Sequence, residues 1–502
     1  MNNEVPGLTR AALHRARISR DARFDGKFFI AVLTTGIYCR PICPSPQSKK
    51  SHVRYYATAA AAAAAGYRPC RRCRPEVAPG SPAWLGPPVV VRRALRLIDE
   101  GALDDASVDE LALRLGVGSR HLDRLFATYV GVSPNAVAQT RRLHFAKQLL
   151  DETELPITRI AMTSGFGSLR RFNEAFRAAF RSTPRATRRR RQGHSSGGGQ
   201  EVSLALSYRP PYDWGSLAEH LSRRAISGVE RVDTNGYART IRLGPSHARV
   251  LVAPVDGEHA LRLHVSGAQP KDLFEIASTA RRVFDLSADP GPIVEMLSDD
   301  PLLAPLVARH PGLRLPGIWG IFECGVRALL GQGTSIAAAR TLGERIAERA
   351  GDRIDDTPGE LTHLFPSPER LANVDLEGIG LPHSKVAGLR ALARGVLEGS
   401  LQLTAPTEEL VRSLGNLPGA SDWVGQYVAM HALAEPDAFP AGDRVVRRLM
   451  AHSRTLVPIA AMQRRAECWR PFRSYAALHL WQAAVDAGAP VRIPRDTAAS
   501  AG

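Results

Sequence analysis

Cys39-Arg40-Pro41-Ile42-Cys43, followed by Cys70-Arg71-Arg72-Cys73, decides how the first part of this 502-residue chain is built. Two close cysteine pairs separated by a short connection have the spacing of a tetrahedral Zn²⁺ site, one ion held by Cys39, Cys43, Cys70 and Cys73. Only Cys324 and Cys468 lie elsewhere. The surroundings are basic: Arg40, Lys49, Lys50, Arg54, Arg68, Arg71, Arg72 and Arg74. A thiolate centre in such a setting is either a structural clip on a nucleic-acid surface or a reactive sulfur aimed at phosphate.

Outward from that centre, the chain is too long for one hydrophobic core, so two to four domains are expected. A hydrophobic fraction of 44% and a charged fraction of 23% are those of a soluble globular protein. The net charge of +17 favours polyanionic partners, nucleic acid or an acidic membrane surface. No apolar run reaches the length of a membrane span, and Met1–Arg20 has no secretory core. A cytoplasmic protein without a membrane partner is expected, where paired cysteines more often hold metal than form disulfides.

Linkers read at Pro75–Pro88, rich in Gly and Pro, and at Arg185–Gln200, which runs through Arg188–Arg191 into Ser195-Ser196-Gly197-Gly198-Gly199. A polar tail from about Pro490 should fray. The expected blocks are 1–76, mixing short strands with a helix through the alanine run; 88–190, all helical; 201–292, β-rich with a helix through Phe274–Phe284; and 293–489, helical. The fold class is multidomain α+β.

Block 88–190 carries one pattern twice. Ser107-Val108-Asp109-Glu110 starts a helix, Leu111-Ala112 face inward, Gly116-Val117-Gly118 turns, and Ser119–Tyr129 forms a second helix. Pro156-Ile157 opens the other copy, with Ile160-Ala161 inside, a turn at Gly165-Phe166-Gly167 and a helix over Ser168–Phe180. This is a double helix-turn-helix, joined by a long helix over about 133–150. Its second helices offer Arg120, His121, Arg124, Arg170, Arg171 and Arg177 to phosphates and guanine edges. Gly165-Phe166, Arg171-Phe172-Asn173, Phe176 and Phe180 to Pro184 resemble the AraC-type DNA-binding domain.

Thr34-Thr35-Gly36-Ile37-Tyr38-Cys39-Arg40-Pro41 and Ala65-Gly66-Tyr67-Arg68-Pro69-Cys70 resemble the N-terminal domain of the Ada family over nearly all of block one. The resemblance implies four zinc-bound thiolates, of which Cys39 takes a methyl group from a methylated DNA phosphate in a single turnover. It also implies transcriptional regulation, with promoter DNA and RNA polymerase as partners. Cys324 and Cys468 lack a Pro-Cys-His context, so the alkylguanine methyltransferase of some Ada proteins is not expected.

Leu417-Pro418-Gly419-Ala420-Ser421-Asp422-Trp423, followed by Phe439-Pro440-Ala441-Gly442-Asp443, is the pattern of helix-hairpin-helix DNA glycosylases. Gly325-Val326-Arg327-Ala328, Gly331-Gln332, Trp423 with Tyr427, and Trp469 to Trp481 resemble the DNA-3-methyladenine glycosylase II family, a likeness running from about 201 to 489. It implies excision of alkylated bases such as 3-methyladenine from double-stranded DNA. Asp443 would be the catalytic carboxylate; Trp423, Tyr427 and Trp481 would wall the pocket for a flipped base. Gly419 and Ser421 would meet a DNA phosphate, with a monovalent cation at the hairpin. Read without the resemblance, Asp443 is also a helix N-cap before Arg444, and each aromatic is as readily core.

Three departures matter. Trp423 stands where a Schiff-base lysine would be needed, so a monofunctional enzyme is expected. Ser421 replaces the second hairpin glycine, and Gly333 follows Gln332 where the family has an intercalating leucine. Cys468 stands alone, so no iron–sulfur cluster is expected. The alternatives are a methylation-sensing regulator whose glycosylase-like half only binds DNA, or a general nucleic-acid scaffold without stoichiometric zinc. A monomer is expected.

Overall fold

The computed structural model describes residues 5–79, 89–104, 106–189, 201–354, 360–451 and 455–488. Most of the two expected linkers and the tail from Pro490 lie outside the described residues. The second linker begins later than expected, because Pro184–Arg189 form a helix whose first residue presets its own φ. Two compact units emerge: 1–210 with 248–282 and 286–289, and 211–247 with 283–285 and 290–502. The division runs through the β-rich block.

In the first unit, strands β1 (Phe29–Val32), β2 (Ile37–Cys39), β3 (Val53–Tyr56) and β4 (Arg68–Pro69) form a sheet of order β3–β1–β2–β4. β1 is antiparallel to β2 and β3, and β4 runs parallel to β2. The period-two alternation divides the apolar side chains between two faces. Ile30, Val53 and Tyr55 pack with Leu13 and Ala16 of the helix Arg10–Ser19. Phe29, Ala31, Tyr38 and Tyr56 pack with Ala62 of the helix Ala59–Ala64. Each core is small, which is the circumstance in which a metal contributes to folding.

The doubled pattern folds as two helix-turn-helix elements. Ser107 and Glu110 form a reciprocal capping box on Val108–Arg114. Gly116 turns at φ +69°, a conformation that a Cβ would strain, into Ser119–Tyr129. The second copy places Ile157–Thr163 before Leu169–Phe180, capped by Ser168. Leu111, Ala112, Ile160 and Ala161 are buried, as their inward assignment requires. Pro134–Glu152 joins the copies. Within the same unit follow β5 (Glu201–Ser207), antiparallel to β9 (Ala260–Ser266), which pairs antiparallel with β8 (Ser246–Pro254), and then the helix Leu273–Val283.

The second unit contains the antiparallel pair β6 (Glu230–Asp233) and β7 (Gly236–Leu243) and the helix Trp214–Ser222; neither β6 nor that helix was legible in the sequence. Its helical core gathers Val326, Leu329 and Leu330, Leu389 and Leu392, Leu410 and Leu414, and Val424 and Val428. The helices Thr407–Gly415 and Asp422–His431 meet at Gly425, where an added Cβ would stand 2.3 Å from the Val411 carbonyl oxygen. Among the described residues no helix is long and apolar enough to cross a membrane.

Candidate functional site

β2 delivers Cys39, and the adjacent loop Cys43. β4 aligns Cys70 beside them through its N–H to the Tyr38 carbonyl, 2.9 Å, and the following turn returns Cys73. The four sulfurs lie within 4.8 Å of one another, the separation that a single tetrahedral Zn²⁺ spans. Their crowding divides the protons. Hydrogen bonds from Cys39, then Cys70 and Cys73, pull Cys43 down, and the bond with Cys39 leads in drawing Cys70 to about 6. The same sharing pushes Cys39 and Cys73 up. Four cysteine sulfurs at this separation fit Zn²⁺, and the four cysteines constitute a one-zinc site.

Cys39 and Cys43 are partly accessible, whereas Cys70 and Cys73 are buried. The Arg40 backbone N–H donates to Cys73 Sγ at 3.3 Å, and its guanidinium bonds the Cys73 carbonyl at 3.1 Å and Asp25 at 2.8 Å. Arg74 is likewise taken, 2.9 Å from Glu152. These two arginines serve the fold, so Lys49, Lys50, Arg54, Arg71 and Arg72, all exposed, and the half-buried Arg68 are the members of that basic group left to face a polyanion. Beside Cys39, the buried Tyr38 hydroxyl meets His144 of the linking helix at 2.9 Å. If zinc completes this small core, metal analysis should find about one zinc per chain, and chelation should expose amides of residues 28–73 to hydrogen exchange while the second unit stays protected.

Arg120, His121, Arg124, Arg170, Arg171 and Arg177 are all exposed on their helices. Only surface contacts restrain them, such as Arg124 to His121 at 2.9 Å and Arg170 to Glu174 at 3.8 Å.

In the second unit Asp443 caps the helix Arg444–Leu449, and the same carboxylate reaches into a cavity of about 170 Å³. Oδ1 accepts from the N–H groups of Val445 and Val446, both at 3.0 Å, and from the Trp481 indole at 3.1 Å. Among the described residues Oδ2 accepts only the Trp423 indole, at 3.1 Å. The structural and chemical readings of Asp443 thus describe one arrangement: the cap aims the carboxylate and the indoles hold it. Trp423 and Tyr427 stack with centroids 4.8 Å apart, and Tyr427 meets His431 at 4.2 Å. Their i, i+4 spacing makes one stripe along Asp422–His431. Trp481, from the helix Arg473–Asp486, lies nearly parallel to His431 at 5.9 Å.

The cavity is also lined by residues that sequence reasoning missed: His220, Arg224, Glu230 and His431. Arg327 lines it too. Burial pushes the Glu230 carboxyl up, but Arg327, 2.5 Å away, and Arg239 hold it down at about 2. No local motif marks these positions, since they come from distant parts of the chain. Only His431 carried a signal, the continued four-residue spacing after Trp423 and Tyr427.

The hairpin turns at Gly419, φ +72°. Gln332 ties it to the neighbouring loop: its amide donates to the Gly419 carbonyl at 2.9 Å, and Ser421 Oγ donates to its Oε1 at 2.8 Å. Lys385 Nζ anchors the same loop at the carbonyls of Leu329, Leu330 and Gln332 and at Thr334 Oγ1, all within 2.9 Å. Gly333 occupies the tip at φ +66° with open space around it. Ser421 and Asp422 are both exposed; the carboxylate of Asp422 suits a helix N-terminus but would repel a phosphate there.

Four family patterns match this chain: the metal binding domain of Ada at 12–76, a helix-turn-helix domain at 111–190, the AlkA N-terminal domain at 203–320, and the HhH-GPD superfamily base excision DNA repair protein at 326–474. The chain is 40% identical to the Mycobacterium tuberculosis "Probable bifunctional transcriptional activator/DNA repair enzyme AlkA", over 93% of this chain and 95% of that one. It is 36% identical to DNA-3-methyladenine glycosylase 2 of Escherichia coli, over 55% of this chain and 95% of the relative. Among solved structures, a 3-methyladenine DNA-glycosylase from Archaeoglobus fulgidus superposes on 56% of this chain and 98% of its own, with a TM-score of 0.50 at 19% identity. That likeness is one of fold.

Proposed function

The chain belongs to the family of bifunctional transcriptional activator/DNA repair enzymes of the AlkA type, and from that premise we propose how its sites divide the work. It is a DNA repair and regulatory protein whose C-terminal half is a DNA glycosylase. Its substrates in our reading are alkylated bases such as 3-methyladenine in duplex DNA. The observation that carries this is the Asp443 carboxylate, held by four N–H donors against an aromatic cavity.

Cleavage of the N-glycosidic bond sends its electron pair into the cationic base, which leaves neutral, and builds positive charge on the deoxyribose. Asp443 Oδ2 spends one hydrogen bond and keeps lone pairs for that charge, while water completes the sugar at C1′. Trp423, Tyr427 and Trp481 attract the cationic base through their ring faces. With Trp423 in place of a lysine, the enzyme is monofunctional. Trp481→Phe keeps a ring in the wall but removes the N–H on Oδ1. Single-turnover base release should fall about 10-fold with the melting temperature little changed; an unchanged rate would retire the indole's role.

At the first site Cys39 Sγ attacks the methyl carbon of a DNA methylphosphotriester. The S–C bond forms as the C–O bond breaks, and the phosphodiester leaves with the bonding electrons. When bound, zinc keeps the thiolates ionised at neutral pH. The thioether product has no return path, so each chain turns over once. Losing one negative charge at the cluster strengthens contact with promoter DNA, which Arg120, Arg124, Arg170 and Arg171 grip, and activation engages RNA polymerase. The protein works as a monomer.

One experiment tests both halves. Methylated duplex is incubated with the protein, then free bases and protein-bound methyl groups are counted. Gly333 and Asp422 favour the second reading, a regulator with an inert glycosylase half; wild-type protein that releases no base above background would establish it.

A further inference from the structure

An antiparallel edge strand turns the N–H and C=O of alternate residues outward, and those groups need partners when the edge is covered. β5 is such an edge, paired on one side with β9. On its other side stands the helix Pro134–Glu152. The Ala205 N–H donates to Glu152 Oε2 at 2.9 Å, and the Ala205 carbonyl accepts from Gln148 Nε2 at 2.9 Å. The residue that covers the edge is also tied to the zinc site. Glu152 Oε1 accepts at 2.9 Å from the guanidinium of Arg74, which directly follows Cys73.

A second chain of bonds runs from the other cysteine pair to the same stretch. Arg40 directly follows Cys39; its N–H donates to Cys73 Sγ at 3.3 Å and its Nε to Asp25 Oδ1 at 2.8 Å. The Asp25 backbone carbonyl accepts from Arg209 Nε at 2.8 Å. Arg209 lies just beyond β5, is 0% exposed, and also donates to the carbonyls of Ser287 and Ala288 at 2.7 and 3.2 Å. Lys27 of the cysteine domain pairs with the fully buried Asp289 at 2.5 Å. Such charges are held only while every partner stays in place, because removing one leaves the other uncompensated.

We propose that the cysteine domain is a metal-dependent clamp on β5, through which zinc at Cys39, Cys43, Cys70 and Cys73 stabilises residues 201–209 and 287–289. Arg40 and Arg74 lie in the two segments that carry the ligands, so an ion that orders those segments orders the bonds they make. Binding that favours the ordered segments favours whatever they hold. The coupling is reciprocal, so loosening the clamp weakens zinc binding. It rests on the zinc site alone and requires neither methyl transfer nor base excision.

The experiment follows amide hydrogen exchange of the full chain before and after zinc is removed with a chelator. In wild type, exchange across 201–209 should rise about 10-fold or more, while Ser119–Tyr129 in the same unit stays protected. The double variant Asp25→Asn, Glu152→Gln keeps the Asp25 carbonyl for Arg209 and an oxygen for the Ala205 N–H, but removes both carboxylate charges from Arg40 and Arg74. It should still take up about one zinc per chain, bind it about 10-fold more weakly in a competition titration, and show a smaller response of 201–209 to chelation. Unchanged protection of 201–209 in wild type overturns the proposal, and so does an equal rise across Ser119–Tyr129, which would be general unfolding. A variant that binds zinc and responds to chelation as wild type does also overturns it. Should the double variant fail to fold, the wild-type comparison decides.

Discussion

Asp443→Asn should release alkylated bases from methylated duplex DNA about 10²–10³-fold more slowly than wild type in single-turnover assays. The substitution is nearly isosteric, so the effect isolates the charge. An amide oxygen at the Oδ1 position still accepts from Val445, Val446 and Trp481, which preserves the helix cap. The amide nitrogen then faces the Trp423 indole N–H, donor against donor, where Oδ2 had accepted at 3.1 Å. A modest stability cost of about 1–3 kcal/mol is expected from that mismatch, visible as a lower melting temperature. The catalytic loss should exceed it, because an amide has no net charge to offer the developing cation. DNA affinity should change little. Equal release by both proteins would remove Asp443 from the mechanism, and the carboxylate would remain as a cap.

Cys39→Ser should abolish methyl uptake from methylphosphotriester DNA, taking it from about one group per chain to none, while base release persists. Exposure narrows the choice of acceptor: Cys70 and Cys73 are each 7% exposed, whereas Cys39 and Cys43 are partly accessible. Cys43→Ser is therefore the informative comparison. Three thiolates remain in either variant, enough to retain zinc with water or the serine oxygen as the fourth ligand. Mass spectrometry of labelled protein locates the methyl group. Label on Cys43 would move the nucleophile four residues along the loop, and uptake by Cys39→Ser would end the assignment altogether.

Much of the fold was legible because its determinants are local. The repeated turn glycines at Gly116 and Gly165, with Ser107 and Ser168 as caps, announce the two helix-turn-helix elements within a few residues of each other. In the block expected to be β-rich, the strands Glu201–Ser207 and Ser246–Pro254 alternate in burial along their length. The helix Trp214–Ser222 and strand β6 were not read. Asp213 caps the former through Ser216 at 2.9 Å, but Pro210-Pro211 before it reads as turn. β6 is four residues of mixed polarity, Glu-Arg-Val-Asp, held by its partner rather than by a pattern of its own.

The sequence by itself determined which residues stand as candidates for chemistry: four cysteines at ligand spacing, an aspartate after a hairpin, and aromatics at i and i+4. Ligand spacing and capping depend on neighbours along the chain, so they survive in one dimension. Only the tertiary structure decided how those atoms are held. It spent Arg40 and Arg74 on ion pairs, brought the Trp423 and Trp481 indoles to opposite oxygens of Asp443, and anchored the Gly333 loop on Lys385. It also buried His431 against the rings of Tyr427 and Trp481. Each is a contact between segments distant in sequence, set by how helices pack. Hydrogen-bond partners and burial exist only after that packing, and they turn a helix-capping aspartate into an aimed carboxylate.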